Sequence, residues 1–297
     1  MIGKTELKIL RKFSKGISLK EIAEKTGLSK GKVSIATKNL ERLGFIIRER
    51  HNKKIFLKIK QTKHASLFFE FLKEYPDLPV ERLLTQKRIA ILSVIENDPP
   101  VIAKIVGVTT QTIYNAIKDF LRYGILIKNC GYRINPRHRI LKTFVFEFQS
   151  FLNRMEMKKV DKDAILIWER GPEFLMKTHR GIKKENYHLT ATSVFKEFGL
   201  LFIPSHNYYF YSRREMTVSD IIIHTILIEP DSKTNTAYAC LLYQKMRPKD
   251  LIKIAKIYKM EEKAMRIIEY VDKKREFDDF PSREEYNELM REYMVIG

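Results

Sequence analysis

The spacing of apolar and polar residues over positions 17–59 predicts two short helices and a hairpin. Ser18 followed by Glu21 has the form of a capping box, which starts a helix. Gly27 can supply a tight turn, and Ser29 can cap a second helix in which apolar residues recur at intervals of three and four. That apolar stripe consists of Val33, Ala36, Leu40 and Leu43.

Beyond Gly44, the segments 45–50 and 54–59 alternate apolar and basic residues. This alternation predicts a two-stranded hairpin, and the intervening His51-Asn52-Lys53 gives it a basic tip. The apolar spacing of Lys4–Ser14 predicts one further helix before the pair. The N-terminal module therefore consists of helices followed by a basic hairpin.

The same pattern occurs again eighty positions later without a gap. Such an ungapped match, with glycines and apolar residues in register, indicates two copies of one module. The second hairpin, predicted at 125–134, is shorter and less basic. The matching pairs are Ile22 and Ile102, Ala23 and Ala103, Gly27 and Gly107, Ser29 and Thr109, Val33 and Ile113, Ala36 and Ala116, Leu40 and Phe120, and Gly44 and Gly124.

With these residues the chain resembles the tandem winged helix-turn-helix transcription regulators of archaea and bacteria. The resemblance covers about half of the chain. It implies that the third helix of each module enters the major groove of DNA and that each hairpin is a wing. Two modules in one chain would address successive major-groove faces, about 10 base pairs apart, without a dimer.

The remaining sequence predicts a small sheet followed by a helical bundle. Strands are expected at 163–168, 173–176, 200–203 and 208–212, with a helix at 190–198, and further helices follow from Thr217 onwards. The predicted fold class is therefore α+β, mainly α. The expected divisions are module 1 at 1–62, a connecting helix in 63–82, module 2 at 83–136, a connecting helix in 137–158, and a C-terminal α+β domain at 159–297.

Charge is concentrated in the two modules. The chain has a net charge of +20. Residues 1–60 hold 17 Lys and Arg against 5 Asp and Glu, and residues 85–140 hold 9 against 3. A solvated, thermophile-like surface would spread the excess evenly, whereas clustering favours polyanion binding by the modules.

On the third helix of module 1, the face opposite the apolar stripe is expected to meet DNA. Gly31 would allow the backbone to approach closely, and Ile35 would contact a thymine methyl group. The basic residues there and on the wing would neutralise phosphates without carrying sequence information. The expected contacts are Lys30, Gly31, Lys32, Ser34, Ile35, Lys38 and Arg42 on the helix and Arg48, Arg50, His51, Lys53 and Lys54 on the wing.

The equivalent helix of module 2 differs in chemistry. Gln111 and Asn115 lie one turn apart, and each carries the donor–acceptor pair that binds adenine N6 and N7. Tyr114 would touch a base edge or a phosphate. We therefore expect module 1 to supply affinity and module 2 more of the specificity, although the same residues also suit an ordinary solvated or protein-binding face. The expected contacts are Thr110, Gln111, Tyr114, Asn115, Lys118 and Arg122.

The C-terminal half carries no phosphate-binding loop, zinc-protease or serine-hydrolase motif. His224, between apolar residues, is typical of a structural histidine, and the alternation of Tyr208, Tyr209 and Tyr211 predicts a strand that is half core and half surface. We therefore expect no enzymatic activity, cofactor or metal site. The run from Tyr208 to Asp220 is similar to a segment in the C-terminal domain of AbiEi-type antitoxins.

The sequence favours a sequence-specific, double-stranded DNA-binding transcription regulator. Its C-terminal domain would supply the output by recruiting a basal initiation factor, by binding an effector or by dimerising. An antitoxin that binds a toxin protein through residues 159–297, a nucleic-acid enzyme and a nonspecific chromatin-like binder are the alternatives. The sequence has neither an N-terminal apolar leader nor a run long enough to span a bilayer, so a cytoplasmic protein without a membrane partner is expected. Richness in Lys, Glu and Ile is typical of a thermophilic source.

Overall fold

The computed structural model describes residues 1–14, 16–52 and 54–294. The chain divides into two compact units, unit 1 (Met1–Leu152) and unit 2 (Asn153–Gly297). Helices account for 55% of the chain and the sheets are small and antiparallel, which confirms the predicted α+β, mainly α, fold class.

The first elements of unit 1 form as their local sequence dictates. The Glu21 amide donates to Ser18 Oγ at 3.2 Å, and the Ser18 amide donates to the Glu21 carboxylate at 2.7 Å, so the predicted capping box is present. Gly27 ends the helix with a φ of 65°, a conformation that costs other residues more than glycine. The elements are α1 (Lys4–Arg11), β1 (Ile17–Ser18), α2 (Leu19–Thr26), α3 (Lys30–Arg42), β2 (Ile46–His51) and β3 (Lys54–Ile59).

Strand β3 pairs antiparallel with both β1 and β2. Two helices, α4 and α5, then lead to a second series of three helices and a hairpin. In that series Pro99 occupies the first turn of its helix, where a missing amide proton costs nothing. The elements are α4 (Lys63–Glu74), α5 (Val80–Leu83), α6 (Gln86–Ser93), α7 (Pro99–Val106), α8 (Thr110–Arg122), β4 (Leu126–Lys128), β5 (Tyr132–Ile134) and α9 (Arg139–Met157).

One continuous apolar core runs through unit 1, from Ile2 to Phe148. The ring of Phe45, at the start of the first hairpin, lies 5.5 Å from that of Phe68 on α4 and 5.2 Å from that of Phe148 on α9. Helix α5 packs against both α1 and α8. The two helix–hairpin series therefore share their interior, and the connecting helices form part of it.

Unit 2 opens with a four-stranded antiparallel sheet whose strands lie in the spatial order 165–170, 173–178, 207–211 and 187–189. Both of its faces are covered: Tyr209 belongs to a core cluster with Met157 and Phe174 on one face, and Phe210 contacts His224 on the other. The strands are β6 (Ile165–Arg170), β7 (Glu173–Thr178), β8 (Tyr187–Leu189) and β9 (Asn207–Tyr211), with a 3-10 helix at Ala191–Phe198.

Two predictions for this sheet are wrong. Residues 200–203 do not form a strand. The partners of β9 are already β7 and β8, and Ile203 lies 97% exposed just before Pro204. Tyr208 and Tyr209 are both buried, so β9 does not have a surface face there, because the sheet is packed on two sides rather than one.

Five helices complete unit 2 in the described part of the chain. The predicted cap at Thr217 is present: its hydroxyl accepts from the Asp220 amide at 3.3 Å, and the Asp220 carboxylate accepts from the Thr217 amide. The helices are α10 (Val218–Leu227), α11 (Lys233–Met246), α12 (Leu251–Tyr258), α13 (Glu261–Asp272) and α14 (Arg283–Met294).

Candidate nucleic-acid interface

Helix α3 has one buried face and one exposed face. Val33, Ala36 and Leu40 are buried against α1 and α2, and Ser29 Oγ caps the helix by accepting from the Lys32 amide at 3.4 Å. The opposite face projects into solvent, as the helical spacing predicts. There the structure places Lys30, Gly31, Lys32, Ile35, Lys38 and Arg42 as exposed residues and Ser34 as a half-buried one.

Two uncharged residues distinguish this exposed face. A Cβ added to Gly31 would meet no atom within 4 Å, so the backbone is openly accessible there. Ile35 is 72% exposed although it is one of the most apolar residue types. A helix that presents bare backbone and an apolar side chain among lysines can approach the floor of a DNA groove closely.

The wing residues do not all point the same way. Arg50, His51 and Lys54 are exposed, whereas Arg48 pairs in register with the buried Leu57 and is half-buried. The Arg48 Nε atom is buried without a hydrogen-bond partner among the described residues. Arg48 is thus less available to phosphate than its neighbours, and Lys53 lies outside the described residues.

An acidic residue on the wing also enters the electrostatics. Glu49 accepts from Lys58 at 2.7 Å and lies 3.4 Å from His51 Nε2. The hydrogen bond from Lys58 lowers the pKa of Glu49 below its usual value. Lys58 was absent from the predicted contacts, although the same apolar–basic alternation could have identified it. The carboxylate thus partly neutralises Lys58 and lies beside His51 on the same wing.

Helix α8 presents a different surface. Thr109 caps it by accepting from the Thr112 amide at 3.3 Å. The Gln111 side chain donates to Asn115 Oδ1 at 3.1 Å, and Tyr114 beside them is 49% exposed. Gln111, Tyr114, Asn115, Lys118 and Arg122 are exposed, and Thr110 is half-buried.

On its inner side, α8 is held by an ion cluster that sequence reasoning missed. Buried Asp119 accepts hydrogen bonds from Arg82 on α5 and, at 2.6 Å, from Arg88 on α6. Burial opposes its ionisation, but the two guanidinium groups still lower the pKa of Asp119. The cluster fixes α8 to the helices before it. No local pattern signals it, because its members are far apart in sequence.

The charge of the molecule follows the division into units. Unit 1 holds 30 Lys and Arg against 13 Asp and Glu, whereas unit 2 holds 26 against 23. Unit 1 therefore carries a net charge of +17 and unit 2 only +3. Long-range attraction to a polyanion resides almost wholly in the unit that presents α3 and α8.

Unit 2 contains a buried ion cluster of its own. Arg214 donates to Asp220 on α10 at 2.7 and 2.9 Å, and to Glu173 on β7 at 2.9 Å. Tyr258 on α12 donates to Asp220 at 2.6 Å. Burial opposes ionisation of Asp220, but Arg214 lowers its pKa to about 2. The cluster joins the sheet to two helices.

His224 extends this network. One ring nitrogen lies 2.8 Å from Thr190 Oγ1 and the other 2.8 Å from the Tyr258 hydroxyl. Burial lowers the pKa of His224 to about 3, so the ring is neutral over the physiological range. Both nitrogens are satisfied within the fold, which confirms the prediction of a structural histidine.

The family model for winged helix-turn-helix DNA-binding domains matches residues 4–47. Unit 1 thus begins with a winged helix-turn-helix DNA-binding domain. The matched range of this DNA-binding domain spans α1 to α3 and enters the first hairpin. Helix α8 and the second hairpin lie outside the match.

A second family model, described as HVO_2833_C, C-terminal, matches residues 184–295. Its description states a place in the chain and no activity. It spans Arg214, Asp220, His224 and Tyr258 of the buried cluster. No curated protein and no solved structure matches the chain significantly.

Two further observations concern the described residues. No group of three or more His, Cys, Asp or Glu side chains among them is arranged to hold a metal ion. None of the helices within 1–14, 16–52 and 54–294 combines the length and apolar character needed to cross a membrane. The DNA-binding domain is the part of the chain for which the comparisons supply a biochemical activity.

Proposed function

We propose that the protein is a sequence-specific, double-stranded DNA-binding transcription regulator that uses two winged-helix modules. The observation that carries this proposal is the exposed face of α3, which belongs to a matched DNA-binding domain and presents bare backbone, an apolar side chain and lysines together. The net charge of unit 1 supports it, because counterion release provides most of the affinity for DNA.

The two modules divide the task. Module 1 contributes phosphate contacts from α3 and its basic wing, which bind all sequences alike. Module 2 contributes base readout through Gln111 and Asn115, whose mutual hydrogen bond holds both amides ready at the surface. An amide that is already oriented loses less side-chain entropy on binding an adenine.

Unit 2 supplies the output of the regulator. Its small net charge suits a domain that contacts protein rather than DNA. We assign it the recruitment of a basal initiation factor. The segment from Tyr208 to Asp220 builds the core of unit 2 through Arg214 and Asp220, so its residue pattern has a structural explanation that does not require a toxin.

The experiment that tests the function is selection of bound duplexes from a random pool at near-physiological salt. The intact chain and the double variant Gln111→Ala, Asn115→Ala are run in parallel. We expect an enriched motif that contains adenines, and we expect the double variant to lose preference at those positions. Absence of enrichment with the intact chain would overturn sequence-specific regulation and leave a general electrostatic DNA binder.

A pair of single variants tests the division between modules. Asn115→Ala should cost about 1–3 kcal/mol on the selected duplex and relax preference at one position. Lys54→Ala, on the exposed part of the wing, should weaken binding to all duplexes alike. It should also reduce the slope of log K against log salt concentration by about one. Equal, uniform losses in both variants would contradict the division. Competition binding to selected and scrambled duplexes gives the measurement.

A further inference from the structure

The two helix–hairpin series of unit 1 have matching backbone geometry at their turns. Gly44 and Gly124 have φ values of 76° and 66°. After them the amide of Phe45 donates to Leu40 at 3.0 Å, and that of Ile125 donates to Phe120 at 2.9 Å. The repeat seen in the sequence is therefore a repeat of backbone geometry as well.

Beyond the hairpins the correspondence continues, but equivalent residues are now 75 positions apart instead of 80, because the second hairpin is shorter. The Lys60 amide donates to the Phe45 carbonyl at 3.0 Å, and the Asn135 amide donates to the Ile125 carbonyl at 2.8 Å. Lys60 and Asn135 are thus equivalent, and α4 and α9 are equivalent trailing helices. A histidine lies near the start of each trailing helix: His64 is the second residue of α4, and His138 directly precedes α9.

These trailing helices run antiparallel against each other. The His64 ring, at the start of α4, lies 5.4 Å from that of Phe148, and the Phe68 ring, one turn later, lies 5.0 Å from that of Phe144. As the residue number rises along α4, its partner's number falls along α9. His64 of module 1 therefore packs on the middle of α9, the trailing helix of module 2.

The reverse contact is also present. His138, which directly precedes α9, lies 6.4 Å from the Phe71 ring in the last turn of α4 and 4.5 Å from the Tyr75 ring just beyond that turn. Each module thus places the same feature against the trailing helix of the other. Reciprocal contacts of this kind arise from a two-fold rotation, whereas a head-to-tail arrangement joins two different surfaces.

The segments that precede the two modules show the same two-fold relation. Arg82 on α5 donates to Asp119 of α8. Met1 accepts from Asn39, the residue of α3 that is equivalent to Asp119. Helix α5 therefore takes in module 2 the place that the first residues take in module 1. Ile2 exchanges hydrogen bonds with Gln86 at the start of α6, and α5 packs in turn on α1.

We propose that unit 1 is a single-chain pseudo-dimer, with α3 and α8 related by an approximate two-fold rotation, and that it binds DNA whose two half-sites have opposite orientations. The inference rests on the proposed function and specifies the substrate of the same surface. Because the symmetry of a DNA site mirrors that of its protein, a head-to-tail tandem would require half-sites of the same orientation instead.

The natural half-sites differ in sequence, since α3 presents Gly31, Ser34 and Ile35 where α8 presents Gln111, Tyr114 and Asn115. The symmetry is therefore hidden in the natural motif, and a substitution experiment can reveal it. In the full chain, Gly31→Gln, Ser34→Tyr and Ile35→Asn give both modules the same reading residues. In the free protein Gly31 has room for a side chain and Ile35 is exposed, so the fold should accept the changes. The altered helix would then dock as α8 does, and no longer through the backbone at Gly31.

Selection from a random pool with this triple variant should yield a palindrome built from the module 2 half-site. The variant should bind that inverted repeat at least about 100-fold more tightly than a direct repeat of the same half-sites, because only the former engages both modules. Enrichment of a direct repeat, or of one half-site alone, would overturn the pseudo-dimer. The matched control is the converse variant Gln111→Gly, Tyr114→Ser, Asn115→Ile, which should select an inverted repeat of the module 1 half-site.

A second measurement avoids substitutions altogether. Hydroxyl-radical footprinting of the unmodified protein on its own selected duplex should give protections on the two strands that are related by a two-fold axis at the centre. The same pattern repeated on one strand would contradict the proposal while leaving sequence-specific binding intact. Failure of the unmodified protein to enrich any duplex would overturn the proposed function itself.

Discussion

Gly31 occupies the position on α3 where the absence of a side chain has the largest consequence for binding. Its backbone is not left-handed and a Cβ there meets no atom. The glycine is therefore not required by the fold, and in a helix it costs up to about 1 kcal/mol relative to alanine. In the proposed complex, a close approach of DNA to this backbone accounts for that cost.

Gly31→Ala should accordingly raise thermal stability and weaken DNA binding. We expect a loss of about 1–3 kcal/mol in binding, the range found when a methyl group is forced into a close-packed contact. Calorimetry and titration of the selected duplex measure the two effects. Gly181→Ala is the matched control, since a Cβ there also meets nothing. Unchanged affinity in Gly31→Ala would rule out the close approach.

His224 gives unit 2 a defined response to acid. Its folded pKa of about 3 lies below the ordinary value of 6.5. Between these two values the imidazole binds a proton in the unfolded chain but not in the folded chain. Stability therefore falls as the pH drops from about 6.5 towards 4, by on the order of 1 kcal/mol for each pH unit. Below pH 3.8, protonation of the salt-bridged Asp220 on unfolding lowers the free energy of unfolding further.

Denaturant unfolding of the intact chain between pH 7 and 4 measures this slope for the transition of unit 2. The His224→Gln variant should be less stable at pH 7, because its bonds to Thr190 and Tyr258 change. The slope of its free energy of unfolding against pH should be smaller, because one proton fewer is taken up on unfolding. An unchanged slope in the variant would mean that other groups produce the acid response.

Among the elements, the hairpins differ most between the two modules. The first combines exposed Arg50 and Lys54 with the ion pair of Glu49 and Lys58. The second is shorter and carries fewer cations. A wing with an internal acid has a weaker field than its cation count suggests, because the carboxylate already holds Lys58 and lies beside His51.

The Glu49→Gln variant should therefore bind every duplex more tightly. The slope of log K against log salt concentration should become steeper by about one. The gain should be the same for selected and scrambled DNA, since phosphates carry no sequence information. Glu24→Gln is the matched control: it makes the same change of charge on α2, where Glu24 pairs only loosely with Lys20 at 3.9 Å. An equal gain in both variants would show an effect of total charge and not of the wing.

At the scale of the whole molecule, the uneven charge of the two units determines how binding responds to salt. Apart from Lys58, which pairs with Glu49, six cations on α3 and the first wing are exposed in the described structure, namely Lys30, Lys32, Lys38, Arg42, Arg50 and Lys54. Neutralising that many phosphates gives a slope of log K against log salt of about −5. Titrations of the full chain between about 50 and 200 mM salt should therefore show an affinity loss of about a thousandfold.

A slope shallower than about −2 would mean that fewer than half of these cations reach phosphate. The Lys54→Ala and Lys38→Ala variants should each reduce the slope by about one. A substitution in unit 2 that removes one exposed charge, such as Lys253→Ala, serves as the control and should leave the slope unchanged.

The sequence by itself determined the local elements of this protein. The capping residues Ser18, Ser29 and Thr217, the turn at Gly27 and the periodic apolar stripes act over a few residues, so each could be read without knowledge of the rest of the chain. The ungapped repeat fixed which residues are equivalent, and helical periodicity alone placed Ile35, Gln111 and Asn115 on exposed faces.

Only the tertiary structure decided how those elements meet. It paired Asp119 with Arg82 and Arg88, buried Tyr208 and Tyr209 on both faces of one sheet, and left residues 200–203 out of it. It also set α4 against α9 in the reciprocal way that relates the two modules by rotation. Such contacts join residues far apart in the chain, and their choice depends on which surfaces remain free after packing, which no local pattern encodes.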